Sequence, residues 1–397
     1  MTRAGVGAST APATEAAARE ASARAMEQAG VARADLALVF ATADHRMGYG
    51  SLLAQVRATT GATHVVGCSS FGIVTADAEV ERQPGVAVMA LASDTITAVP
   101  FFMRGLRARN AEVGRQIGRS LKDAMRGTSL LLLFPDTFAL EAQALFGGIH
   151  EELGAIAIAG GGASEDGTLG QTFQMCGDLV DSNAAVGVLL SGGFSYAVGI
   201  TQGCQPIGRP RVVTRARGNT ILELDGRPAF EALAEAVGPA LLRDLQRLAS
   251  SVFIGLPADP RRPAFEAGEF VVRNLVGLDP RQGALALGEE VHEGHPVTFT
   301  LREPTRARED LRRTLEGLRA RLGEGVPRVG LYFNCCDFNC CGRGSSLYRL
   351  PDIDSAYINL YFRSLPLIGF FTYAEIAPTG GQTLLHQYTG VLVLLGD

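Results

Sequence analysis

Apolar and polar positions fall into three stretches that share one order. The first opens with Leu36-Ala-Leu-Val-Phe40, passes through helical spacing at residues 51–59, and reaches Val65-Val-Gly-Cys-Ser-Ser70. The second opens with Leu130-Leu-Leu-Leu-Phe134, continues through residues 140–153, and enters residues 155–164 with Gly160-Gly-Gly162. The third opens with Val329-Gly-Leu-Tyr-Phe333, crosses residues 352–364, and reaches Leu367-Ile-Gly-Phe-Phe371. Leu145, Phe146, Ile149 and Leu153 recur at three- and four-residue steps, as do Ile353, Tyr357, Leu360 and Tyr361, which is the spacing of a helix with one buried face. The runs before and after are apolar at every position, so they predict strands covered on both sides. More strand material follows each second run. Residues 85–92 and 95–102 read as one hairpin. Residues 185–190 and 195–201 read as another, turning at Gly192-Gly193. The last strand is residues 391–395. The pattern predicts an α/β to α+β chain with layered mixed sheets, helices, and strand-helix-strand-hairpin units repeated at least twice.

Between the second and third stretches, Asp225-Gly226 marks a hairpin turn and residues 228–248 are helical in spacing. Strand runs follow near residues 251–255, 270–275, 284–287 and 297–301. A charged amphipathic helix at residues 305–322 then leads into the third unit. The proline-rich residues 256–263 predict an exposed connection.

Composition narrows the function classes. The chain has 397 residues, 47% hydrophobic and 19% charged, with net charge −5. That is a globular balance, large enough for two or more packed units. Of 36 basic residues only Lys122 is lysine, and the arginines are scattered, which argues against nucleic-acid binding. No stretch is long and apolar enough to insert in a bilayer. The Ala-rich start carries Glu15, Arg19, Glu20, Arg24 and Glu27, unlike an export signal. The expectation is a cytoplasmic protein whose seven cysteines are mostly reduced.

The chemistry concentrates near the end: Asn334-Cys-Cys-Asp-Phe-Asn-Cys-Cys-Gly-Arg-Gly344, then Leu365-Pro-Leu-Ile-Gly-Phe-Phe-Thr-Tyr-Ala-Glu-Ile-Ala-Pro378. Cys335, Cys336, Cys340 and Cys341 can hold zinc or copper(I), form redox disulfides, or line a core. Their spacing is not that of paired Cys-x-x-Cys knuckles. Arg343 between two glycines can present a guanidinium to a carboxylate or phosphate, or pair with Glu375. Cys68 lies near His64, but nothing in the sequence orients that base. Gly160-Gly-Gly162 lacks the lysine of a phosphate loop. Polar groups at strand ends collect at a rim where ligands of α/β sheets bind. Cys68, Ser69, Gly161, Cys340, Arg343, Tyr373 and Glu375 are therefore expected around one pocket.

Leu38-Val-Phe40, Val66-Gly-Cys-Ser-Ser70, Gly160-Gly-Gly162, Val213-Thr-Arg215 with Asn219, Val272-Arg273 with Asp279-Pro280, Cys340 to Gly344, and Leu367 to Pro378 occur in this order. In that order and spacing the chain resembles the FIST family of bacterial sensory proteins. Two departures are Ala374, where that family usually has glycine, and the added thiols Cys335, Cys336 and Cys341. The resemblance implies a helical lead-in at 1–30, a FIST N-terminal domain at 31–226 and a FIST C-terminal domain at 227–397. It implies a small-molecule sensor for signal transduction, not an enzyme, with amino-acid-like ligands proposed for the family. Signalling would pass to a separate partner such as a histidine kinase. Some members bind haem and sense nitric oxide, for which His386 is the first candidate ligand and His45 the second. A thiol or metal-ion sensor using the cysteine cluster is the other alternative.

Overall fold

A computed structural model of the 397-residue chain describes every residue except 267, 324 and 337–341, and every side chain of the rest except 245 and 246. The first unit is β1 (Thr2–Ser9), α1 (Thr14–Ala29), β2 (Leu36–Thr42), α2 (Tyr49–Thr60), β3 (His64–Ser70), the short strands β4 (Gly72–Thr75) and β5 (Glu79–Glu81), and β6 (Val86–Ser93). The second repeats it: β7 (Ile96–Arg104), α3 (Asn110–Leu121), β8 (Thr128–Pro135), α4 (Ala142–Leu153), β9 (Ala157–Gly161), β10 (Gln174–Cys176), β11 (Leu179–Asp181) and β12 (Ala184–Gly192).

The third unit opens with β13 (Ser195–Gln202) and is then interrupted. The insert comprises β14 (Cys204–Arg217), β15 (Thr220–Leu224), β16 (Arg227–Pro228), α5 (Ala229–Leu242), α6 (Leu245–Ser251), β17 (Val252–Pro257), β18 (Phe270–Asp279), β19 (Ala284–Leu287) and β20 (Pro296–Arg302). The unit resumes with α7 (Pro304–Leu322), β21 (Val329–Cys335), α8 (Ser345–Tyr348), α9 (Ile353–Tyr361), β22 (Leu367–Thr372), β23 (Glu375–Thr379), β24 (Gln382–His386) and β25 (Thr389–Gly396).

The three resulting sheets have matching strand orders: β1-β6-β2-β3-β10-β11, β7-β12-β8-β9-β23-β24, and β13-β25-β21-β22-β4-β5. In each, a parallel pair lies at the centre (β2 with β3, β8 with β9, β21 with β22). Each sheet is completed by the hairpin of another unit, passed cyclically. The first unit gives β4–β5 to the third, the second gives β10–β11 to the first, and the third gives β23–β24 to the second.

The repeat is visible atom by atom. A Cβ on Gly67, Gly160 or Gly369 would lie 1.7, 2.1 or 1.8 Å from the carbonyl oxygen of Val39, Leu133 or Tyr332. Only glycine fits at all three equivalent places. Phe40, Phe134 and Phe333, at equivalent places on β2, β8 and β21, are fully buried and meet in one core. Ring centroids are 5.3 Å apart for Phe40–Phe134 and 5.9 Å for Phe134–Phe333. Phe370 touches all three at 4.5, 5.9 and 5.7 Å. Such ring pairs add about 0.5–1.5 kcal/mol each beyond area burial.

The insert is a barrel, β14-β20-β17-β18-β19-β15, closed by pairing of β14 with β15, so it leaves no free edge among those six strands. Asp225 and Gly226, both at positive φ, form its expected two-residue turn.

Several expectations change here. The first thirty residues are not simply a helical lead-in: β1 pairs with β6 along its whole length. The repeat is threefold. The two apolar pairs expected as hairpins are not hairpins. β6 and β7 lie in different sheets, as do β12 and β13, so the turns at residues 94–95 and 193–194 are crossings between units. Alternation marks a strand but not its partner.

Candidate functional site

The strands of the third unit end in a polar row. Gln202 on β13 is paired with Thr389 on β25, and Cys335 on β21 with Thr372 on β22. Glu375, on the hairpin lent to the second unit, is paired with Gly161 of β9. A Cβ at Gly161 would meet Thr372 Cγ2 at 2.7 Å, so glycine lets the two sheets approach. The Glu375 carboxylate is fully buried. Its Oε2 accepts from Thr389 Oγ1 at 2.5 Å and from Thr389 N–H at 3.2 Å, and Oε1 accepts from Thr372 Oγ1 at 3.4 Å. Burial pushes its pKa up to about 8, against the pull of the Thr389 hydrogen bonds and nearby Arg343.

Arg343 is held on the other side of Cys335, whose carbonyl accepts its backbone N–H at 2.9 Å. Its guanidinium is 1% exposed. Nη2 and Nε donate to the two oxygens of Asp354 at 2.9 and 3.2 Å, and Nη2 also reaches Tyr348 at 2.6 Å. Tyr332 donates to the same carboxylate at 2.9 Å. The expected Arg343–Glu375 pair is therefore replaced by a two-pronged pair with Asp354 at the start of α9. Burial alone would lower the Arg343 pKa, but Asp354 and the tyrosines hold it well above its ordinary value. Glu79, from the first unit's hairpin, faces this cluster and accepts from Ser355 N–H at 2.8 Å. Burial, and then the Asp354 charge, push its pKa to about 8.

Three units meet at the serines. Ser69 Oγ donates to Ser164 O at 3.1 Å, and Ser164 Oγ donates to Phe371 O. Tyr373 donates to Glu165 at 2.9 Å. The second Glu165 oxygen accepts three backbone N–H groups, from Gly167, Thr168 and Leu169. Phe138 stacks edge-on against Tyr373 at 5.5 Å and is one of the few large apolar side chains left exposed, at 42%. Ser69, Gly161, Arg343, Tyr373 and Glu375 thus gather around the ends of β21–β23. Cys68 does not. It points into the phenylalanine core, fully buried, opposite Gln174, and burial drives its thiol pKa well above normal. Cys340 lies outside the described residues.

The metal expectation also changes. Cys335 packs toward the barrel with Phe253, Phe270 and Tyr388, whereas Cys336 packs with Tyr332 and Phe371 on the opposite face. Consecutive strand residues point apart, so these two thiols do not converge on one ion, and Cys341, like Cys340, is not among the described residues. No group of three metal-binding side chains occurs among the described residues. His386 does not fit a haem. It is fully buried, its Nε2 lies 3.0 Å from Thr379 Oγ1, and burial pulls its pKa down to about 3. His45 is likewise buried against Thr14.

Residues that sequence reasoning missed include Asp354, Tyr348, Ser164, Glu165 and Glu79. Asp354 and Tyr348 carry no separate signal, since Glu375 was an equally good acid for Arg343 in the sequence. Glu79 carries no such signal, because it arrives from the first unit's hairpin. Several buried polar atoms near Arg343 have no hydrogen bond: Asn334 Oδ1 and Nδ2, Arg343 Nη1, Gln202 Oε1 and Asp310 Oδ1. Arg343 and Asp310 feel each other electrostatically, and Asp310 Oδ2 accepts from Gln202 N–H at 2.6 Å.

Among known proteins, the FIST N domain model matches residues 35–227 and the FIST C domain model residues 229–378. An uncharacterised protein of Mycobacterium tuberculosis is 35% identical over 398 residues, covering 100% of both chains. One of Mycobacterium bovis is 32% identical, covering 100% of this chain and 99% of its own. Solved structures with some likeness are a cyanuric acid hydrolase from A. caulinodans (8% identity, 100% and 99% covered, TM-score 0.39) and a chorismatase (10%, 100% and 98%, TM-score 0.36). Both likenesses are too slight to carry meaning for this chain. With both domain models spanning its strands, and relatives matching it end to end, the chain belongs to the FIST family, whose domains serve as sensors in signalling.

Proposed function

We propose that this chain is a non-catalytic sensor that takes a small, amino-acid-like ligand at the ends of the third unit's strands and signals through a separate protein. The observation that carries the reading is the set of buried, unbonded polar atoms around Arg343. A buried polar atom without a partner costs about 1–3 kcal/mol, and such groups are rare enough to need a reason. Here they include donors (Arg343 Nη1, Asn334 Nδ2) and acceptors (Asn334 Oδ1, Gln202 Oε1, Asp310 Oδ1). That mixture suits a ligand bearing both a carboxylate and an ammonium or amide. Ligand hydrogen bonds there would recover the desolvation cost, which is the free energy a sensor needs to favour one state.

The test uses substitutions that remove those atoms and spare the ion pair. Asn334→Val and Gln202→Leu are expected to leave the chain as stable as before or slightly more so. Both are expected to abolish the thermal shift produced by one member of a screen of the twenty amino acids and their amides. A screen with no stabilising member, or shifts unchanged in both variants, would refute the reading. Among the described residues the thiol and haem alternatives have no comparable geometric support.

A further inference from the structure

The first unit reaches into the third through its β4–β5 hairpin. The foothold on the sheet is short: β4 meets β22 over three residue pairs, Ile73–Phe370, Val74–Gly369 and Thr75–Ile368. The rest of the grip falls on β5, which caps two helices of the other unit. Glu81 Oε1 accepts from Ser345 N–H at 2.9 Å, at the start of α8. Glu79 Oε1 accepts from Ser355 N–H at 2.8 Å, in the first turn of α9. Asp352, just before α9, has positive φ and its side chain does not cap its own helix. Its Oδ1 accepts instead from Glu79 N–H at 2.6 Å. The open N–H groups of both helices are thus served by a distant part of the chain. α8 carries Tyr348 and α9 carries Asp354, so a hairpin of one unit sets the partners of Arg343 in another.

Charge at this seam does not balance. Asp354 is fully served: each of its oxygens accepts from Arg343 and from a tyrosine, Tyr348 or Tyr332. Glu79 is buried beside it, with one oxygen on Ser355 and the other without a hydrogen bond. The groups around Glu79 are Asp354 and Asp352 on the α9 side, Arg343 and Tyr348 next to them, and Tyr332 on β21. Its own hairpin adds Asp77, Glu81 and, just past the strand, Arg82. The guanidinium is already committed to Asp354, so a charge on Glu79 would stand uncompensated next to another carboxylate. A proton on Glu79 removes that charge and leaves Oε1 free to go on accepting from Ser355.

We propose that Glu79 is a proton latch between the first and third units. With its proton, the β4–β5 hairpin holds the starts of α8 and α9. Once the proton passes to solvent, two neighbouring carboxylates face one guanidinium, and hairpin and helices part. The direction follows from the seam. Burial, and then the Asp354 charge, raise the Glu79 pKa to about 8 from the ordinary 4.5. Between those values the closed seam keeps a proton that the open seam releases. Closure is therefore fullest below this interval and is lost as pH rises through it. Protons become an input to the chain beside any ligand, and the latch stands whether or not the atoms around Arg343 bind an amino acid.

The test is amide hydrogen exchange of the full-length chain, read peptide by peptide and corrected for the ordinary base catalysis of exchange. Protection of residues 72–81 and 353–361 is expected to fall between pH 6 and pH 8, approaching about tenfold per pH unit, the limit for release of one proton on opening. In Glu79→Gln, whose amide oxygen still accepts from Ser355 N–H, the same peptides should keep constant protection. Peptides of α3, in the second unit, should show no such slope in either protein. A wild type without the slope, a Glu79→Gln variant that retains it, or a slope shared by α3 would overturn the proposal.

Discussion

At the level of the central aromatic layer the three units carry one residue type, Phe40, Phe134 and Phe333. On the swapped strands beside them, the three equivalent positions carry Ile73, Gln174 and Glu375, opposite Phe370, Cys68 and Gly161. All three are fully buried. The first layer must fill one shared volume, and packing density fixes its residues. The second lies where each sheet takes in another unit's hairpin, and there the residue types differ. Ile73 closes its junction as core. Gln174 donates to Thr172, which donates on to Asp136. Glu375 alone places an ionisable group at the seam. The repeat specifies the scaffold, and its departures from symmetry show where the third unit has been specialised.

Breaking the shared layer should have the largest effect. Phe134→Ala removes a ring that touches Phe40, Phe333 and Phe370, and is expected to cost about 3–5 kcal/mol in denaturant unfolding. Asp354→Ala should cost a similar amount, about 3–5 kcal/mol, because it strands the Arg343 charge in the interior; a milder loss would mean that the guanidinium finds another acceptor.

A smaller, pH-dependent effect sharpens the contrast at the seam. The folded chain holds the Glu375 proton up to a pKa of about 8, above the ordinary 4.5. Between those values the folded state binds a proton that the unfolded state has released. Stability from this group is therefore fullest below the window and falls as pH rises through it. Glu375→Gln keeps the shape and removes the titration. Its unfolding free energy should fall less than that of wild type between pH 5 and pH 8, by on the order of 1–3 kcal/mol. Parallel pH curves for the two proteins would show that Glu375 is ionised throughout. The smallest expected change is Gly317→Ala, a gain of up to about 1 kcal/mol measured by the same unfolding assay.

Much of the scaffold was legible in the chain. The strands carrying Phe40, Phe134 and Phe333, the helices after them, barrel strands β17 to β20 and the Asp225-Gly226 turn follow from local periodicity. Partner choice was not legible. Residues 72–81 carried no expectation, yet β4 pairs with a strand made near the end of the chain, and no local pattern encodes such a distance. β1 escaped because its small residues mimic a linker. Gly5 and Gly7 are small because a Cβ at either would lie 2.2 Å from the Ala25 or Ala21 carbonyl oxygen of α1. At the site, Ser69, Gly161, Tyr373 and Glu375 could be read from strand ends. Cys68 could not be placed, because a strand end has two faces and the sequence does not say which one meets the core. Asp354 was hidden because its partner Arg343 offered an equally plausible acid in Glu375.

The cyclic exchange of hairpins bears on how the chain is made. On the ribosome β4 and β5 emerge early, but their sheet waits for β22, and β13 waits for β25, the last strand of all. Contacts of such long range are slow to form and leave strand edges open to wrong neighbours while synthesis continues. Cutting the chain between the two family-matched segments would leave each fragment with an unfinished sheet. The fragments should complement each other when mixed and aggregate when expressed alone, because each holds strands whose partners lie on the other.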